Sequence, residues 1–420
     1  MTAVKSVPLR LSQISCLLSL LLAAETLVAQ QKLGEMPPLP QAADFRESNE
    51  STITSSEPKV FDMFGATIRS VDRDGTQNML VGHSRGVWEL SRDESGKWMP
   101  VFEIKAPESC SNPGTFGMAF DVDGDTVVLR PVALGDKARI HVFRQTDTDT
   151  GWKHVQDITP PMFPDGRRFG LKVTAGDGWL CAHGRSGVTV FKKNEKGMYL
   201  FSQVIDSVGE NEADRDRFGK TITVDGGQMI ISSFRATGRN ERVDVFALNP
   251  EGKWRHVQVL DPPHRKFGTW FGHALDVSGD CLVISSPRWR DMTGRVDVYR
   301  RGSDDLWKHV QELAVYPDSL SSFGTQLSLE KDNLVVGASM PNVPGSAYVF
   351  KGDSAGRFKR TAMVGLPGNE HISSGFGTAT LVRDGQFYVS APSVESGGFA
   401  KAGRIYEYAF PPESPSVASE

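Results

Sequence analysis

Short runs of apolar residues follow one another along most of this chain, and their spacing changes in a fixed order. From 271 to 278 apolar and polar residues alternate, whereas the run Cys281–Ile284 is apolar throughout. Alternation is typical of a strand with one covered face, and a continuous run is typical of a strand covered on both faces. Two further alternating runs, 295–299 and 307–313, follow after turn-forming residues. The pattern therefore predicts a unit of four short antiparallel strands.

The chain contains seven such units. Each unit begins at a Phe-Gly pair, and these pairs recur at nearly constant spacing. The pairs begin at Phe64, Phe116, Phe169, Phe218, Phe271, Phe323 and Phe376, at intervals of 52, 53, 49, 53, 52 and 53 residues. A fixed period of this length is typical of repeat folds, and four-strand units are typical of propeller blades. The sequence predicts an all-β fold, a seven-bladed β-propeller of four-stranded antiparallel blades. We expect each Phe to wedge between adjacent blades while its Gly allows backbones to approach closely.

The seventh unit lacks a fourth strand of its own. Its third strand ends near Phe410, and only a Pro- and Ser-rich stretch follows. Ring closure therefore requires the N-terminal segment to supply the outer strand of the last blade. Counting back from Phe64 favours residues 50–54, Glu-Ser-Thr-Ile-Thr, with Gln31–Leu33 as the second candidate. The predicted propeller spans 47–410, with repeats near 64–115, 116–168, 169–217, 218–270, 271–322, 323–375 and 376–410 plus 47–56. We expect residues 411–420 to form a disordered tail.

The N-terminus has the composition of an export signal. Lys5 and Arg10 precede an uncharged apolar run, Ile14–Ala24, and small residues follow at Val28-Ala29. A basic region, a short apolar region and a small-residue exit are typical of a secretory signal peptide, and the run is too short to span a bilayer. We therefore expect a signal peptide at 1–29, a linker at 30–46 and a secreted or periplasmic product with no membrane span.

Charge and cysteine content exclude several classes of function. The net charge of −4 and the pI near 6.2 give no attraction to nucleic acid. Without the signal peptide, three cysteines remain, Cys110, Cys181 and Cys281, which cannot form a full disulfide framework. We expect them to be small buried apolar residues, and we expect the protein to be a monomer that needs no cofactor.

The recurring pairs resemble the FG-GAP repeat family, known from the head of integrin α subunits and from exported bacterial proteins. The second half of that motif is partly preserved, as in Val336–Pro341, Ser285–Pro287 and Ser390–Pro392. The resemblance covers about residues 45 to 410. It implies a seven-bladed propeller that acts in cell adhesion or ligand recognition, and it implies no shared catalytic residue.

The resemblance also implies candidate Ca²⁺ sites, because family members often bind this ion between the first and second strands. Hard oxygen ligands at alternating positions suit Ca²⁺. The candidates here are weak, because no distal acid completes the ligand set and Asp-Gly is itself a hairpin sequence. Of the two turns concerned, the one at Asp72 is expected to be the longer and the better candidate. The residues are Asp72, Asp74, Asp121, Asp123 and Asp125.

Three histidines occupy one position of a recurring Trp-X-His-Val-Gln motif: His154, His256 and His309. The repeat pattern predicts that they lie on the outer strands of three different blades. They therefore cannot converge on one metal ion.

Arginine and tryptophan are concentrated in the loops that enter the Phe-Gly pairs or join the second and third strands. Such groups suit carboxylate, sulfate or sugar ligands, whereas interleaved acids favour a solvated rim. The predicted ligand-binding residues are Arg235, Arg239, Arg265, Trp270, Arg288, Trp289 and Arg290.

Two hypotheses of function follow from the sequence. The first is a non-catalytic exported propeller that binds a protein or glycan through this loop face. The alternative is an extracellular hydrolase or lyase that acts on polysaccharide. An enzyme requires acid and base groups that converge in one pocket, and the sequence shows no such group. The sequence therefore favours a protein that is not an enzyme, and the two hypotheses differ in whether acids from different blades meet at the axis.

Overall fold

The computed structural model describes residues 51–131, 139–147, 151–159, 172–184, 187–206, 218–233, 241–264, 268–315, 322–341, 345–366 and 374–410. Within these ranges the strands form seven four-stranded antiparallel sheets. The first strand of each sheet contacts the first strands of the sheets on either side, and the seventh returns to the first. The fold is a seven-bladed β-propeller, as the Phe-Gly spacing predicts.

Each blade contributes strands to four concentric positions, which are numbered here in chain order. The innermost strands are β2 (Ile68–Arg73), β6 (Phe120–Asp123), β10 (Val173–Gly176), β14 (Phe218–Asp225), β18 (Leu275–Ser278), β22 (Gln326–Glu330) and β26 (Thr380–Arg383). The second strands are β3 (Thr76–His83), β7 (Thr126–Leu129), β11 (Trp179–His183), β15 (Gln228–Ser233), β19 (Cys281–Ser285), β23 (Asn333–Ala338) and β27 (Gln386–Ala391). The third strands are β4 (Gly86–Arg92), β8 (Ile140–Gln145), β12 (Gly187–Lys193), β16 (Arg242–Leu248), β20 (Val296–Arg301), β24 (Ser346–Gly352) and β28 (Arg404–Ala409).

The fourth, outermost strands end each blade at the perimeter of the ring. They are β5 (Trp98–Lys105), β9 (Trp152–Ile158), β13 (Tyr199–Asp206), β17 (Trp254–Leu260), β21 (Trp307–Leu313), β25 (Phe358–Gly365) and, in the seventh blade, β1 (Ser51–Ile53). Short helical turns occur at Pro113–Thr115 and Trp289–Met292. Among the described residues, no helix is long and apolar enough to cross a membrane.

The seventh blade is completed by the N-terminal segment, as ring closure requires. Strand β1 pairs antiparallel with β28, with Thr52 opposite Tyr406 and Ile53 opposite Ile405. The side chain of Ile53 is buried among residues of the first and seventh blades. The prediction from the 50–54 segment is thereby confirmed, and the second candidate, Gln31–Leu33, lies outside the described residues.

The core lies between neighbouring blades. The second strands are buried almost throughout, which agrees with their continuous apolar sequence. Phe271 shows how a wedge works, because it begins the fifth blade yet packs against Ile230 and Val243 of the fourth. The six described Phe residues of the Phe-Gly pairs are all at most 1% exposed. Phe169 lies outside the described residues.

The glycine of the pair is required by both conformation and space. Gly272 has φ +85°, and a Cβ at this position would lie 2.6 Å from Cβ of Ser232 in the preceding blade. Gly324 repeats this geometry against Ser285, at 2.8 Å. Any larger residue would force neighbouring blades apart or strain the backbone.

Cys181 and Cys281 are buried free thiols, as expected, whereas Cys110 is half-buried. None of the three forms a disulfide in the described structure. Packing between blades, rather than covalent crosslinks, therefore stabilises the described ring.

Candidate functional site

A channel of about 600 Å³ runs between the innermost strands, and all seven of these strands contribute to its wall. Most of the wall consists of Ile, Val, Leu, Ala, Ser and Thr side chains. Eight ionisable side chains also line it, and every blade supplies at least one: Arg69, Asp121, Lys172, Lys220, His273, Asp276, Glu330 and Arg383.

Three of these side chains, those of Arg69, Asp121 and Asp276, lie at the same height along the channel because they occupy the same position of the repeat. Arg69, Asp121 and Asp276 each follow the Phe of their repeat by five residues. Successive residues of a strand point to opposite faces, so equal offsets place side chains at equivalent points of different blades. Position in the repeat therefore brings together residues that are up to 207 positions apart (276 − 69).

Two of these acids also join neighbouring blades through contacts that we call the inner ties. Oδ2 of Asp121 accepts the N–H of Ala175 at 3.0 Å, and Oδ2 of Asp276 accepts the N–H of Leu329 at 2.7 Å. The hydroxyl of Ser328 accepts the N–H of Val382 at 2.8 Å in the same way. The N–H groups at the channel edge of a sheet have no further strand to bind, so a side chain from the preceding blade satisfies them.

Arg69 and Asp121 form an ion pair in the channel. Nε of Arg69 lies 2.7 Å from Oδ1 of Asp121, and the Arg69 side chain is 37% exposed toward the channel. The surrounding protein acts to lower the pKa of Arg69, but the charge and hydrogen bond of Asp121 outweigh this and raise it. The guanidinium is therefore a permanent cation at this level of the channel.

Asp276 has a different electrostatic environment. Burial raises its pKa to about 7, although hydrogen bonds from the N–H groups of Leu329 and Val277 and the charge of Arg69 oppose the shift. A carboxyl group with this pKa is present in both protonation states near neutral pH. It can therefore accept a proton and return it within one reaction cycle, which is what general acid-base catalysis requires.

Two lysines and a histidine lie at the end of the channel where the Phe-Gly pairs begin. Lys172 and Lys220 are exposed there. Although Lys172 is exposed to the channel, desolvation by the surrounding wall lowers its pKa, and the charges of Arg69 and Lys220 add to the effect. Burial and the nearby lysines lower the pKa of His273 to about 4, so this ring is neutral at pH 7. The mouth therefore has excess positive charge that suits an anionic ligand.

An aromatic stack extends from the channel mouth onto the loops. The rings of Trp270 and His273 stack with centroids 5.4 Å apart, and the guanidinium carbon of Arg288 lies 3.8 Å from the Trp270 ring centroid. Trp270 has φ +61°, a strained value for a bulky residue. The buried carboxylate of Glu241 accepts the N–H groups of Trp270, at 2.9 Å, and Thr269, at 3.3 Å, and so holds this conformation.

The predicted loop surface is only partly assembled by the structure. Trp270 is half-buried, and Arg288 and Arg290 are exposed. Trp289, which we expected to be exposed, is 6% exposed and packs against His264, with ring centroids 4.0 Å apart. It is buried because the chain turns sharply here, through three residues with positive φ, Arg290, Asp291 and Met292. Arg235, Arg239 and Arg265 lie outside the described residues.

Most of the predicted Ca²⁺ ligands lie at or beside the first-to-second strand turns, and the carboxylates of Asp72, Asp123 and Asp125 have protein partners. Asp72 accepts the N–H of Gly75 at 3.0 Å in a turn of only two residues, Asp74 and Gly75, so the expected longer loop is not present. Asp123 accepts the hydroxyl of Tyr199 at 2.7 Å, and Asp125 lies 3.0 Å from Nζ of Lys193. Asp121 belongs to the channel. The Ca²⁺ hypothesis stays a prediction.

The three repeated histidines lie on outer strands of separate blades, as the sequence predicts. Each of them binds a carboxylate of its own blade: His154 binds Asp157, His256 binds Asp244, and His309 binds Asp297. The glutamine of the same motif has a second function. Gln258 donates to the carbonyl of Trp307 at 2.8 Å and accepts its N–H at 2.9 Å. Equivalent pairs, which we call the outer ties, are Gln156 with Tyr199, Gln203 with Trp254, and Gln311 with Phe358.

The channel residues Arg69, Lys172, Lys220, His273 and Asp276 are absent from the sequence-based site. Each is an ordinary polar residue of an alternating strand, and no local motif distinguishes it. The available signal was the offset from Phe-Gly, since Arg69, Asp121 and Asp276 share one offset on the strand predicted to line the channel. Aligning the seven repeats by this offset would have found Arg69 and Asp276, but not the two lysines or His273.

Comparison with known proteins finds similarity in structure alone. No protein-family model matches the chain, and no curated protein sequence matches it. A Bacteroides fragilis protein described as a candidate 6-phosphogluconolactonase is similar, with a TM-score of 0.50 and 15% identity, over 80% of this chain and 90% of that one. A Lactobacillus plantarum protein has a TM-score of 0.50 and 11% identity, over 77% and 87%. The periplasmic gluconolactonase of Pseudomonas aeruginosa has a TM-score of 0.48 and 14% identity, over 70% and 84%.

At these identities the similarity establishes the shared propeller fold. Two expectations from the sequence are nevertheless wrong, namely that the protein is a non-catalytic adhesion or recognition scaffold and that it is not an enzyme. The Bacteroides fragilis neighbour with the same fold is described as a candidate 6-phosphogluconolactonase, which is a hydrolytic enzyme and not an adhesion protein. The sequence analysis found no convergent acid-base group, because the ionisable side chains of this channel come from different blades and meet only in the closed ring.

Proposed function

We propose that this protein is a hydrolase that cleaves an ester or lactone bond in a small anionic sugar derivative, bound in the mouth of the central channel. One observation carries the proposal: Asp276, a carboxyl group with a pKa of about 7, shares the channel with the Arg69–Asp121 ion pair and lies below two lysines. The lactonase description of one propeller neighbour supports the reaction class.

The size and charge of the channel define the substrate class. A cavity of about 600 Å³ lies in the range that holds a small molecule, rather than the long groove that a polymer needs. Lys172 and Lys220 supply the positive charge that a phosphate or carboxylate group requires. The stacked pair of Trp270 and His273 offers a flat apolar surface at the mouth for a sugar ring. These features favour a small substrate over the polysaccharide of the alternative hypothesis.

The proposed reaction needs water as the second substrate. Ionised Asp276 removes a proton from a water molecule, whose oxygen attacks the carbonyl carbon of the ester. The carbon–oxygen bond to the leaving group then breaks, and protonated Asp276 returns its proton to the leaving oxygen. Arg69 supplies fixed positive charge for the oxyanion that forms during attack, and Asp121 orients Arg69. Atoms and protons balance as a simple hydrolysis.

The test compares purified wild-type protein with two aspartate variants on a phosphorylated sugar δ-lactone and its unphosphorylated counterpart. Acid release is followed at constant pH and corrected for spontaneous hydrolysis. We expect the wild type to prefer the phosphorylated lactone and Asp276→Asn to lose about 10²–10⁴ of the rate, the usual contribution of a general base. Asp225→Asn is the matched control, because Asp225 is also an innermost-strand acid whose pKa burial raises, but it is not part of the channel wall.

Substitution of both mouth lysines tests substrate binding separately. The double variant Lys172→Met/Lys220→Met should raise KM for the phosphorylated lactone and leave KM for the neutral one nearly unchanged. Absence of lactone and ester hydrolysis in the wild type, or an Asp276→Asn variant as active as Asp225→Asn, would reject the proposed function.

We also propose that the protein is exported and acts in the periplasm or outside the cell. The basic and apolar pattern of residues 1–29 supports this, although that segment lies outside the described residues. N-terminal sequencing of the mature protein tests it, with cleavage near Gln30 as the expected result. Membership in the FG-GAP repeat family stays a prediction, supported by the buried Phe-Gly wedges.

A further inference from the structure

Three side chains of metal-ligand type lie close together on the outer half of the second blade, away from the channel-lining strands. His141 is on β8, and His154 and Asp157 are on β9. Nδ1 of His141 lies 2.7 Å from Oδ1 of Asp157, and Nε2 of His154 lies 2.8 Å from the same oxygen. One ligand atom from each residue lies within 4.8 Å of the other two. Two imidazole nitrogens and a carboxylate oxygen therefore surround one small volume.

Equivalent positions of other blades show that this grouping is not the default of the repeat. In the fourth blade Asp244 occupies the position of His141, and it binds His256 at 3.0 Å and Arg242 at 2.9 Å. The residue opposite Asp244 is Val259, whereas the residue opposite His141 is Asp157. The fifth blade keeps the third-strand acid, Asp297, bound by His309 and Arg295, and the acid opposite it, Glu312, pairs with Arg295 rather than with a histidine.

The second blade thus moves the carboxylate from the third strand to the fourth and adds a second imidazole in its place. In the fourth blade one histidine, His256, contacts the carboxylate of Asp244. In the second blade two histidines, His141 and His154, contact the carboxylate of Asp157, so three potential metal ligands lie together.

The environment of His141 supports a ligand role. Its side chain is 1% exposed, and Nε2 has no hydrogen-bond partner among the described residues. The only described hydrogen bond of the ring is therefore the one to Asp157, and no second bond fixes its tautomer. Phe116 and His154 pack beside it, each with its ring centroid 5.7 Å from that of His141.

The remaining contacts orient the carboxylate. Arg139 lies 3.3 Å from Oδ2 of Asp157, the oxygen that faces away from the two histidines. Such a contact directs Oδ1 toward the imidazoles, in the manner of an outer-shell partner. His154 is 31% exposed, so the group is accessible from solvent.

We propose that His141, His154 and Asp157 bind a divalent transition metal ion of the zinc class. Zinc takes imidazole and carboxylate ligands at about 2.0–2.2 Å, so the nitrogen–oxygen separations need to widen by only about half an ångström. Three protein ligands leave a fourth position for water. The ion joins β8 to β9 and so stabilises the outer half of the second blade. The site is independent of the proposed hydrolase function.

The test is titration of the tag-free, metal-stripped full chain with ZnCl₂, by calorimetry, together with visible absorption after addition of CoCl₂. We expect one high-affinity equivalent of Zn²⁺ and the intense visible bands of tetrahedral cobalt. His154→Ala should lose at least about 100-fold in affinity, the upper end of what loss of an outer-shell partner alone costs. His256→Ala, the same residue of the repeat in the fourth blade, should bind zinc like the wild type.

The circular dichroism spectrum in EDTA shows whether each variant is folded, and Asp157→Asn provides a second variant if His154→Ala is not. Wild-type protein without stoichiometric zinc and without cobalt bands overturns the proposal, whatever the variants do. Equal loss of affinity in His154→Ala and His256→Ala also overturns it, because binding would then depend on the repeat position rather than on this group.

Discussion

The outer and inner edges of the blades are both joined to neighbouring blades by hydrogen bonds, but the side chains that form these bonds differ. At the perimeter the outer ties use a neutral amide, as when Gln258 both donates to and accepts from the backbone of Trp307. At the channel the inner ties use Asp121, Asp276 or Ser328 to accept a single N–H. Both sets join neighbouring blades through side chain to backbone hydrogen bonds.

The difference shows that mechanical joining does not require a charged group. A hydroxyl performs the inner tie at Ser328, and an amide performs every outer tie described here. A half-buried carboxyl whose pKa is raised to about 7 is an electrostatically costly way to join two blades by one backbone hydrogen bond, even with a second bond from the N–H of Val277. The contact with Leu329 therefore does not explain why a carboxyl group stands at position 276. A function in acid-base chemistry does explain it.

The largest expected effect separates these two roles of Asp276. In Asp276→Ser the hydroxyl can accept the N–H of Leu329, as Ser328 does with Val382. We expect hydrolysis to fall by about 10²–10⁴, the contribution of a general base, while the melting temperature stays close to that of the wild type. Unchanged kcat in a folded Asp276→Ser protein would show that the carboxyl serves only as an inner tie.

The next effect concerns the outer strand of the seventh blade, which a distant part of the chain supplies. Ile53→Ala removes a buried side chain from β1 and should destabilise the fold by about 2–5 kcal/mol in chemical denaturation. Val257→Ala is the control, since Val257 is 45% exposed on an outer strand, and it should change stability little. Equal effects would mean that β1 contributes no more than an ordinary surface position.

A smaller effect is expected from an outer tie. Gln258→Ala leaves the N–H and carbonyl of Trp307 without their described partner, which should cost about 1–3 kcal/mol of stability without altering kcat. Gln258→Glu keeps an acceptor and should be less destabilised. Loss of activity in stable Gln258→Ala protein would contradict the division between a structural perimeter and a chemical channel.

The smallest effect is the pH dependence that Asp276 gives to stability. Its pKa rises from 3.8 to about 7 on folding, so the folded state favours the protonated form. The resulting stabilisation is complete below about pH 4 and is lost as pH rises through 7. Relative to Asp276→Asn, the wild type should therefore lose melting temperature between pH 4 and 7 and then level off. Parallel curves for the two proteins would indicate that the pKa is not raised.

Most of the fold could be predicted from the sequence, because it depends on patterns repeated seven times. The Phe-Gly spacing predicts the blades, and the missing fourth strand after Phe410 predicts that Ile53 joins the last blade. These inferences need only local periodicity and the requirement that a sheet edge be covered.

The site could not be predicted in the same way. Arg69 meets Asp121 only because successive innermost strands are neighbours, and the pKa of Asp276 depends on burial that no local pattern reveals. Trp289 was expected to be exposed because it lies in a polar loop, but backbone turns at positive φ direct it inward. Side-chain chemistry here is a property of the closed ring rather than of any segment.

The seam between β1 and β28 has a kinetic consequence. Ser51 donates to Glu407 across 356 positions of the chain, so this pairing closes a far longer loop than any hairpin within a blade. Long-range pairs of this kind form late in folding, because the entropic cost of closure precedes any gain from contact. Until the seam forms, the first and seventh blades expose their packing faces and unpaired strand edges. We therefore expect the closed ring to resist proteolysis far longer than a chain in which β28 has not yet paired with β1.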